Sequence, residues 1–416
     1  MRRDSRFHSG LSRRQILRGG LYGLGIGAAG ALPLSPVFQR VARAAGGGNS
    51  GKILVVFEIT GGNDGLNTVI PYGDDAYYRH RPEVGIRSDQ ILKIDEHFGF
   101  NRGMVGFERL YKDGNLAIIH GAGYENPSFS HFTSAAYWHT GTPNCGSEYG
   151  WVGRVADAIL PGGEPNSIVN VGSTQTLAVR SRDHRPVVFD DPEKFKRERF
   201  VQELSFFEKL GNHPSASASA NASQNFLQEM VRSARNASAQ VKDAWAAYHS
   251  PVDYGIAPYD LDKVAALIEA DFPAQLYYAG VRNGAFDTHV YQNNVHERLL
   301  TYVSDCVSGF LRDMERIGRA DDVAIMIFSE FGRRVPENAN LGTDHGAAGL
   351  MFAAGKGVRG GHYGARPSLT RLDPGDNLLY TTDFRRVYAS VIEGWLGHPD
   401  SASVLGGRFE TFPMFG

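Results

Sequence analysis

The sequence predicts an α/β protein: a doubly wound, mainly parallel sheet with a helical insertion. Three observations predict it. Near-continuous apolar runs of strand length, such as 52–59 and 323–328, read as strands covered on both faces. Amphipathic segments at helical spacing lie between them, and this alternation is the pattern of a sheet with helices on both sides. Acidic and histidine residues stand where several runs end, and strand ends in an open sheet share one rim.

Taken in order, a Gly-rich hinge at 46–51 leads into a strand from Lys52 to Ile59. A second strand is expected at Leu116 to His120, followed by a helix from Ser130 to Trp138, where Ser130 suits an N-cap. Short strand-like runs occur at Ser167 to Val171 and Thr176 to Val179. Asp191 to Leu210 and Ser223 to His249 read as amphipathic helices parted by a Ser/Ala tract, so about 185–260 forms the insertion, placed to cover a site. Leu261 to Asp271 is a further helix and Gln275 to Arg282 a strand. From Val290 to Gly318, Leu300, Val303, Val307, Phe310 and Met314 recur at helical spacing and predict a long helix. Strands at Val323 to Phe328 and Gly349 to Ala353 and a helix at Asp383 to Leu396 complete the pattern.

Residues 1–44 read as an address. Arg13 and Arg14 precede a weakly apolar run from Gly19 to Leu34, and Ala42-Arg43-Ala44 fits a small-x-small cleavage site. This is the form of a twin-arginine export signal, so the export machinery is an expected partner and the periplasm or exterior the expected location. The run is too short and glycine-rich to span about 30 Å of hydrocarbon, and no stable span is expected after cleavage. Gly25 to Gly30 matches a dinucleotide fingerprint, but no strand precedes it and it leaves with the leader. Lys356 likewise lacks the glycine spacing and the following hydroxyl of a phosphate loop. Cleavage removes eight arginines and one aspartate and moves the formal net charge from −2 to −9. Such a chain, with no basic block, is not built to bind nucleic acid. Cys145 and Cys306 are the only cysteines; they are either one disulfide or two separate thiols, and cannot be a disulfide framework.

The candidate chemistry sits in loops after the apolar runs. Asp64 lies among glycines in TGGNDG; Asp287 and His289 alternate in FDTH; Glu330 opens EFGRR; Asp344 and His345 precede the last apolar strand. Carboxylate oxygen and imidazole are the ligand types of divalent cations, and residues i and i+2 of an extended segment face one side. Singly, each is as well explained as a polar cap or tight turn; together they form a candidate metal set. Zn, Mg, Mn and Ca are not distinguished by this donor mixture. Ser130 is either a cap or a nucleophile at a helix N-terminus, where an anion is stabilised. Arg333 is either a bidentate anion clamp or an ordinary ion pair.

The segments VVFEITGGNDGLNTVIPYGDDAYYRHRPEVGI, SHFTSAAYWHTG, FDTHVYQ, FSEFGRR and GTDHGAAGLMFAAGKGVRGGHYG, five motifs in order, resemble the domain-of-unknown-function 1501 family. That family is grouped with the alkaline phosphatase superfamily, and the likeness covers essentially the whole mature chain. It implies an alkaline phosphatase-like fold and a metal-dependent hydrolase of phosphate or sulfate esters. By that resemblance Asp64 matches the metal-binding aspartate after the first strand, Asp287 and His289 the second ligand cluster, and His345 the last histidine ligand. Asp344 is then a further ligand or orients an imidazole. Glu330 stands where aspartate followed by histidine is usual, and Phe331 follows it here. His131 falls on the nucleophile slot and Ser130 one place earlier, so either Ser130 is a shifted nucleophile or His131 is a ligand and water attacks directly. No C/S-x-P-x-R sequence of the sulfatase type is present.

The expectation is an exported metal-dependent hydrolase acting on a small anionic ester of phosphate type. The alternative is a non-catalytic, metal-stabilised binding protein of the cell envelope. A sulfatase-like or redox enzyme is a third reading, and nothing in the sequence names a redox centre.

Overall fold

Every residue of Ile53–Ile59 is buried, and the alternation along this strand separates two cores. Val55 and Phe57 pack with Ile325, Val303, Val307, Phe310 and Met314 on one face. Leu54 and Val56 pack with Met326, Trp138, Trp151 and Tyr388 on the other. Period two along the strand is what sends successive side chains to opposite faces. The structure is a computed structural model that describes residues 51–160, 166–195 and 236–416.

Nine strands form the main sheet: β1 Ile53–Ile59, β2 Leu116–Gly123, β3 Ile168–Val171, β4 Val187–Phe189, β5 Leu276–Val281, β6 Val323–Phe328, β7 Gly349–Ala354, β8 Gly361–Tyr363 and β9 Thr382–Asp383. Their order is β8-β2-β7-β6-β1-β5-β3-β4, with β9 also paired to β2. Only β7 is antiparallel to its neighbours, β6 and β2. In the parallel centre Phe57 stands opposite Ala279 on one side and Ile327 on the other. The strand order jumps on both sides of β1, so the loops after β1, β5 and β6 emerge together, where an open sheet makes its crevice.

The helices that flank the sheet include α1 Val105–Lys112, α2 His131–Thr140, α3 Trp151–Ile159, α4 Leu261–Glu269, α5 Gln292–Arg316 and α6 Phe384–Ser390. The fold is therefore the expected α/β one, mainly parallel and covered on both faces. Several elements differ from expectation. Thr176 to Val179 is no strand but a single 3-10 turn at Leu177–Val179, pinned because Asn170 accepts from the Thr176 amide and hydroxyl. Helix α6 continues into a π turn at Val391–Trp395. Helices α1 and α3 and strands β4, β8 and β9 were not expected. The expected leader at 1–44 lies outside the described residues, as do 196–235 of the expected insertion; 191–195 is not helical and 236–247 is. Cys145 is exposed and Cys306 buried, and both are free thiols. Among the described residues, no helix is long and apolar enough to cross a membrane.

Candidate metal centre

The turn after β1 organises the rim. Gly61 and Gly62 have φ of 116° and 73°, a region that favours glycine. Their amides donate to the Glu330 carboxylate, Gly61 N at 2.8 Å and Gly62 N at 3.2 Å, tying the end of β6 to the end of β1. The loop after β5 closes against the same turn: Phe286 N donates to Thr60 O at 3.0 Å. A Cβ on Gly61 would lie 2.4 Å from the Asp287 amide, so glycine is what lets this loop approach.

Asp287 stands at the centre of what these loops assemble. Its Oδ1 is 2.7 Å from Arg333 Nη2, 3.0 Å from His345 Nε2 and 2.9 Å from His289 Nε2. The two imidazole Nε2 atoms are 2.9 Å apart. Burial raises the Asp287 carboxyl, but the Arg333 and His345 hydrogen bonds outweigh it and hold the group down at about 2. His345 is brought in by a short antiparallel ribbon in which it pairs with Arg333.

The outer nitrogens of both rings are already committed. His345 Nδ1 lies 2.8 Å from the Phe129 carbonyl, which can only accept, so Nδ1 carries the proton. His289 Nδ1 lies 3.3 Å from Asp344 Oδ1, and Asn338 donates to that oxygen at 3.0 Å. The Asn338 hydrogen bond, ahead of His289, holds the Asp344 carboxyl below its usual range. These partners assign the tautomers and leave lone pairs on both Nε2 atoms, beside an ionised carboxylate oxygen. The Arg333 guanidinium offsets part of this cluster of acceptors, with Nη2 on Asp287 Oδ1 and Nη1 3.4 Å from His289 Nε2, and imidazoles whose far N–H is held by a carbonyl or carboxylate are the usual arrangement of metal ligands.

His131, the first residue of α2, adjoins the group. Its Nδ1 is 2.7 Å from Glu330 Oε1, and its Nε2 is 3.5 Å from Asp287 Oδ2. The Glu330 hydrogen bond raises the His131 imidazole above its ordinary value against the effect of partial burial. Burial pushes the Glu330 carboxyl up, but His131 and the Gly61 amide hold it below the usual range. His131, Asp287 and His345 each offer a ligand atom, all within 4.8 Å of one another. Nitrogen and oxygen donors so grouped could hold a metal ion.

The remaining expected residues are placed otherwise. Asp64 is 1 % exposed, and none of its hydrogen-bond partners belongs to the cluster. It forms a two-pronged pair with Arg81, at 2.6 and 3.0 Å, and also accepts from Gln292 and the Leu66 amide. Its oxygens are spent, so it is not a ligand here. Glu330 is likewise spent on two amides, Ser329 and His131, and positions His131 instead of meeting the cluster directly. Asp344 reaches it only through His289. Arg333 does not act as the expected clamp: it is 1 % exposed and its donors go to Gly62 O, Gly61 O, Phe286 O, Thr343 O and Asp287, with Nη1 also 3.4 Å from His289 Nε2. Ser130 is the N-cap residue of α2 and exposed, yet its side chain makes no capping bond. Sequence reasoning missed Arg81 and Gln292, the partners of Asp64, and no motif spacing announces them. It also missed a buried group beside the cluster, where His139 Nε2 lies 3.0 Å from Glu58 Oε2 and the Tyr278 hydroxyl donates to Glu58 at 2.6 Å.

The family profile described as "Protein of unknown function (DUF1501)" matches residues 51–384. The chain belongs to the DUF1501 family. No curated protein matches it. Among solved structures it is similar to the PsFucS1 sulfatase from Pseudoalteromonas sp., at 10% identity and a TM-score of 0.38, covering 90% of this chain and 72% of that one. A protein in the alkaline phosphatase superfamily from Vibrio parahaemolyticus gives 9% identity and a TM-score of 0.37, over 86% and 69%. The lipoteichoic acid synthase LtaP from Listeria monocytogenes gives 11% and 0.36, over 80% and 75%. Overlaps this loose are likenesses only, and the chemistry of this DUF1501 chain rests on its own side chains.

Proposed function

We propose that this chain is an exported, metal-dependent hydrolase of a small phosphate-type ester. The observation that carries the proposal is the meeting of His289 Nε2, His345 Nε2 and Asp287 Oδ1 at 2.9–3.0 Å with both outer ring nitrogens tied. Asp287, His289 and His345 would hold the ion, with His131 beside it. When bound, such an ion supplies Lewis-acid polarisation of an ester oxygen and lowers the pKa of a water.

The chain's own groups do the rest. Glu330 fixes the His131 ring by its Nδ1, which leaves Nε2, 3.5 Å from Asp287 Oδ2, to take a proton from the attacking water. In α2 the Ser134 amide donates to the Ser130 carbonyl at 2.8 Å, and the amides of 131–133 lie ahead of it in the first turn. Amides in a first helical turn lack intrahelical partners and suit the non-bridging oxygens of an anion. Arg333 holds Asp287 in place and neutralises part of its charge.

The test is turnover by the purified mature protein on an aryl phosphate monoester and a bis-aryl phosphodiester, with His131→Gln alongside. Hydrolysis that falls about 100-fold or more in the variant while metal content is kept supports a proton-taking role. Metal without turnover on any ester favours a second reading, a non-catalytic envelope protein. Two observations support that alternative: among the described residues the Ser130 hydroxyl meets no base, and the Arg333 donors are all taken up by Gly61, Gly62, Phe286, Asp287, His289 and Thr343.

A further inference from the structure

Ten large apolar side chains stand exposed among the described residues, and six of them belong to the segments that carry the cluster. Phe129 and Phe132 lie to either side of His131 in the chain, and Phe132 is 91 % exposed. Val290, Tyr291 and Val295 follow His289, with Tyr291 at 71 %, and Leu341 comes shortly before Asp344 and His345. Apolar side chains scattered singly over a surface need no explanation, whereas a gathering of them marks a place where something apolar binds.

Backbone contacts tie both groups to the ligands. The Phe129 carbonyl accepts from His345 Nδ1 at 2.8 Å, and the His345 ring centroid lies 4.6 Å from that of His131 and 4.7 Å from that of His289. Leu341 is drawn to the His289 segment: its carbonyl accepts from Gln292 N at 2.8 Å, and the Asn340 carbonyl accepts from Tyr291 N at 3.0 Å. Tyr291 and Leu341 have φ of 46° and 58°, a left-handed backbone seldom adopted except by glycine, asparagine and aspartate. Asn338 keeps the loop in place: its Oδ1 accepts from the amides of Asn340 and Gly342, and its Nδ2 donates to the His289 carbonyl at 3.1 Å. Backbone strain held by such a net is a feature of ligand clamps. Here it fixes two exposed apolar residues against the segment of a ligand histidine.

We propose that the ester taken at the cluster is amphipathic, with its oxyanion at the metal centre and a hydrocarbon chain lying on Phe129, Phe132, Tyr291 and Leu341. The proposal rests on the reading of the cluster as an ester site and adds the substrate class to it. An apolar chain gains free energy along its length as it leaves water, so these residues act on binding and selectivity and take no part in the bond that breaks. Val295, one helical turn beyond Tyr291, extends the surface for longer chains.

Octylphosphonate and methylphosphonate share an anion, and their C–P bonds resist hydrolysis, so binding is read apart from turnover. Titration calorimetry on the full mature protein, purified from its native compartment, is run below the micelle concentration. Octylphosphonate is expected to bind about tenfold or more tighter, the gain from burying about two of its extra methylenes. Tyr291→Asn and Leu341→Asn, which suit the left-handed backbone, each cut that preference severalfold while the melting temperature holds. Ile256→Ser, at an exposed apolar residue outside these segments, leaves it intact. Equal binding of the two phosphonates, or a preference untouched by both asparagine variants or lost in Ile256→Ser, would overturn the proposal. Equal binding together with sedimentation on phosphatidylcholine vesicles would overturn it too, since the rim would then meet a bilayer. Turnover of 4-nitrophenyl methyl phosphate and 4-nitrophenyl octyl phosphate separates this reading from the hydrolase itself. Hydrolysis of both without any preference between the phosphonates keeps the hydrolase and overturns the amphipathic substrate. A preference that the asparagine variants remove, without hydrolysis of either ester, supports the apolar rim and counts against the hydrolase.

Discussion

Asp64 and Asp287 both follow a strand of the same sheet and have opposite surroundings. Asp64 is enclosed with Arg81, each side chain about fully buried, at 1% and 0% exposure. Removing one partner of such a pair leaves the other charge uncompensated in the interior, at a cost of about 3–5 kcal/mol. Asp64→Ala is therefore expected to lower unfolding stability by roughly that amount in a denaturant titration, while metal content per folded chain is unchanged. A metal loss without a stability loss would reverse the assignment. His139 offers a pH-dependent check. Burial lowers its imidazole, but the Glu58 carboxylate prevails and raises it above the ordinary 6.5. Its contribution to stability is then full below about pH 6.5 and is lost as pH rises through the folded value. The melting-temperature gap between wild type and His139→Gln should narrow from about pH 6 to about pH 9. A gap that widens would mean that His139 is held neutral. At this scale the residue types of the site were legible, because imidazoles and carboxylates at strand ends are a short list. Which of them pointed inward was not, since Arg81 claims Asp64 through tertiary contact that no sequence spacing records.

Among the elements, the turn after β1 decides the most. It carries no ligand, yet its two glycines receive Glu330 and make room for Asp287. Gly61→Ala combines a positive φ with a backbone clash, so a loss well above about 1 kcal/mol is expected. Weakened metal retention should accompany it, read by melting temperature and by dialysis against a chelator. Unchanged melting would show that the loop after β5 has room to move. The strands β1, β2, β6 and β7 could be read from apolar runs because burial on both faces leaves few polar interruptions. Helix α5 could be read from its spacing. Thr176 to Val179 could not: the run looks extended, but Asn170 bends it into a turn. Helices α1 and α3 were missed because Phe107, Gly106, Gly153 and their neighbours do not repeat long enough to mark a period.

For the whole molecule, one rim collects what the chain separates by more than 200 residues, from His131 to His345. The parallel order around β1 does this, since strands pointing one way deliver their following loops to one edge. The proposed leader belongs to the same scale. Arg13→Lys with Arg14→Lys should trap the folded chain in the cytoplasm in a fractionation blot, and normal export of that double variant would remove the twin-arginine assignment. The most direct measurement of the central claim is elemental analysis of protein purified from its native compartment, beside Asp287→Asn, His345→Ala and Asp64→Ala. The account predicts stoichiometric divalent metal in the wild type and in Asp64→Ala, and little in the other two. A wild type that holds none even after reconstitution, or ligand variants that hold as much as it does, would contradict it.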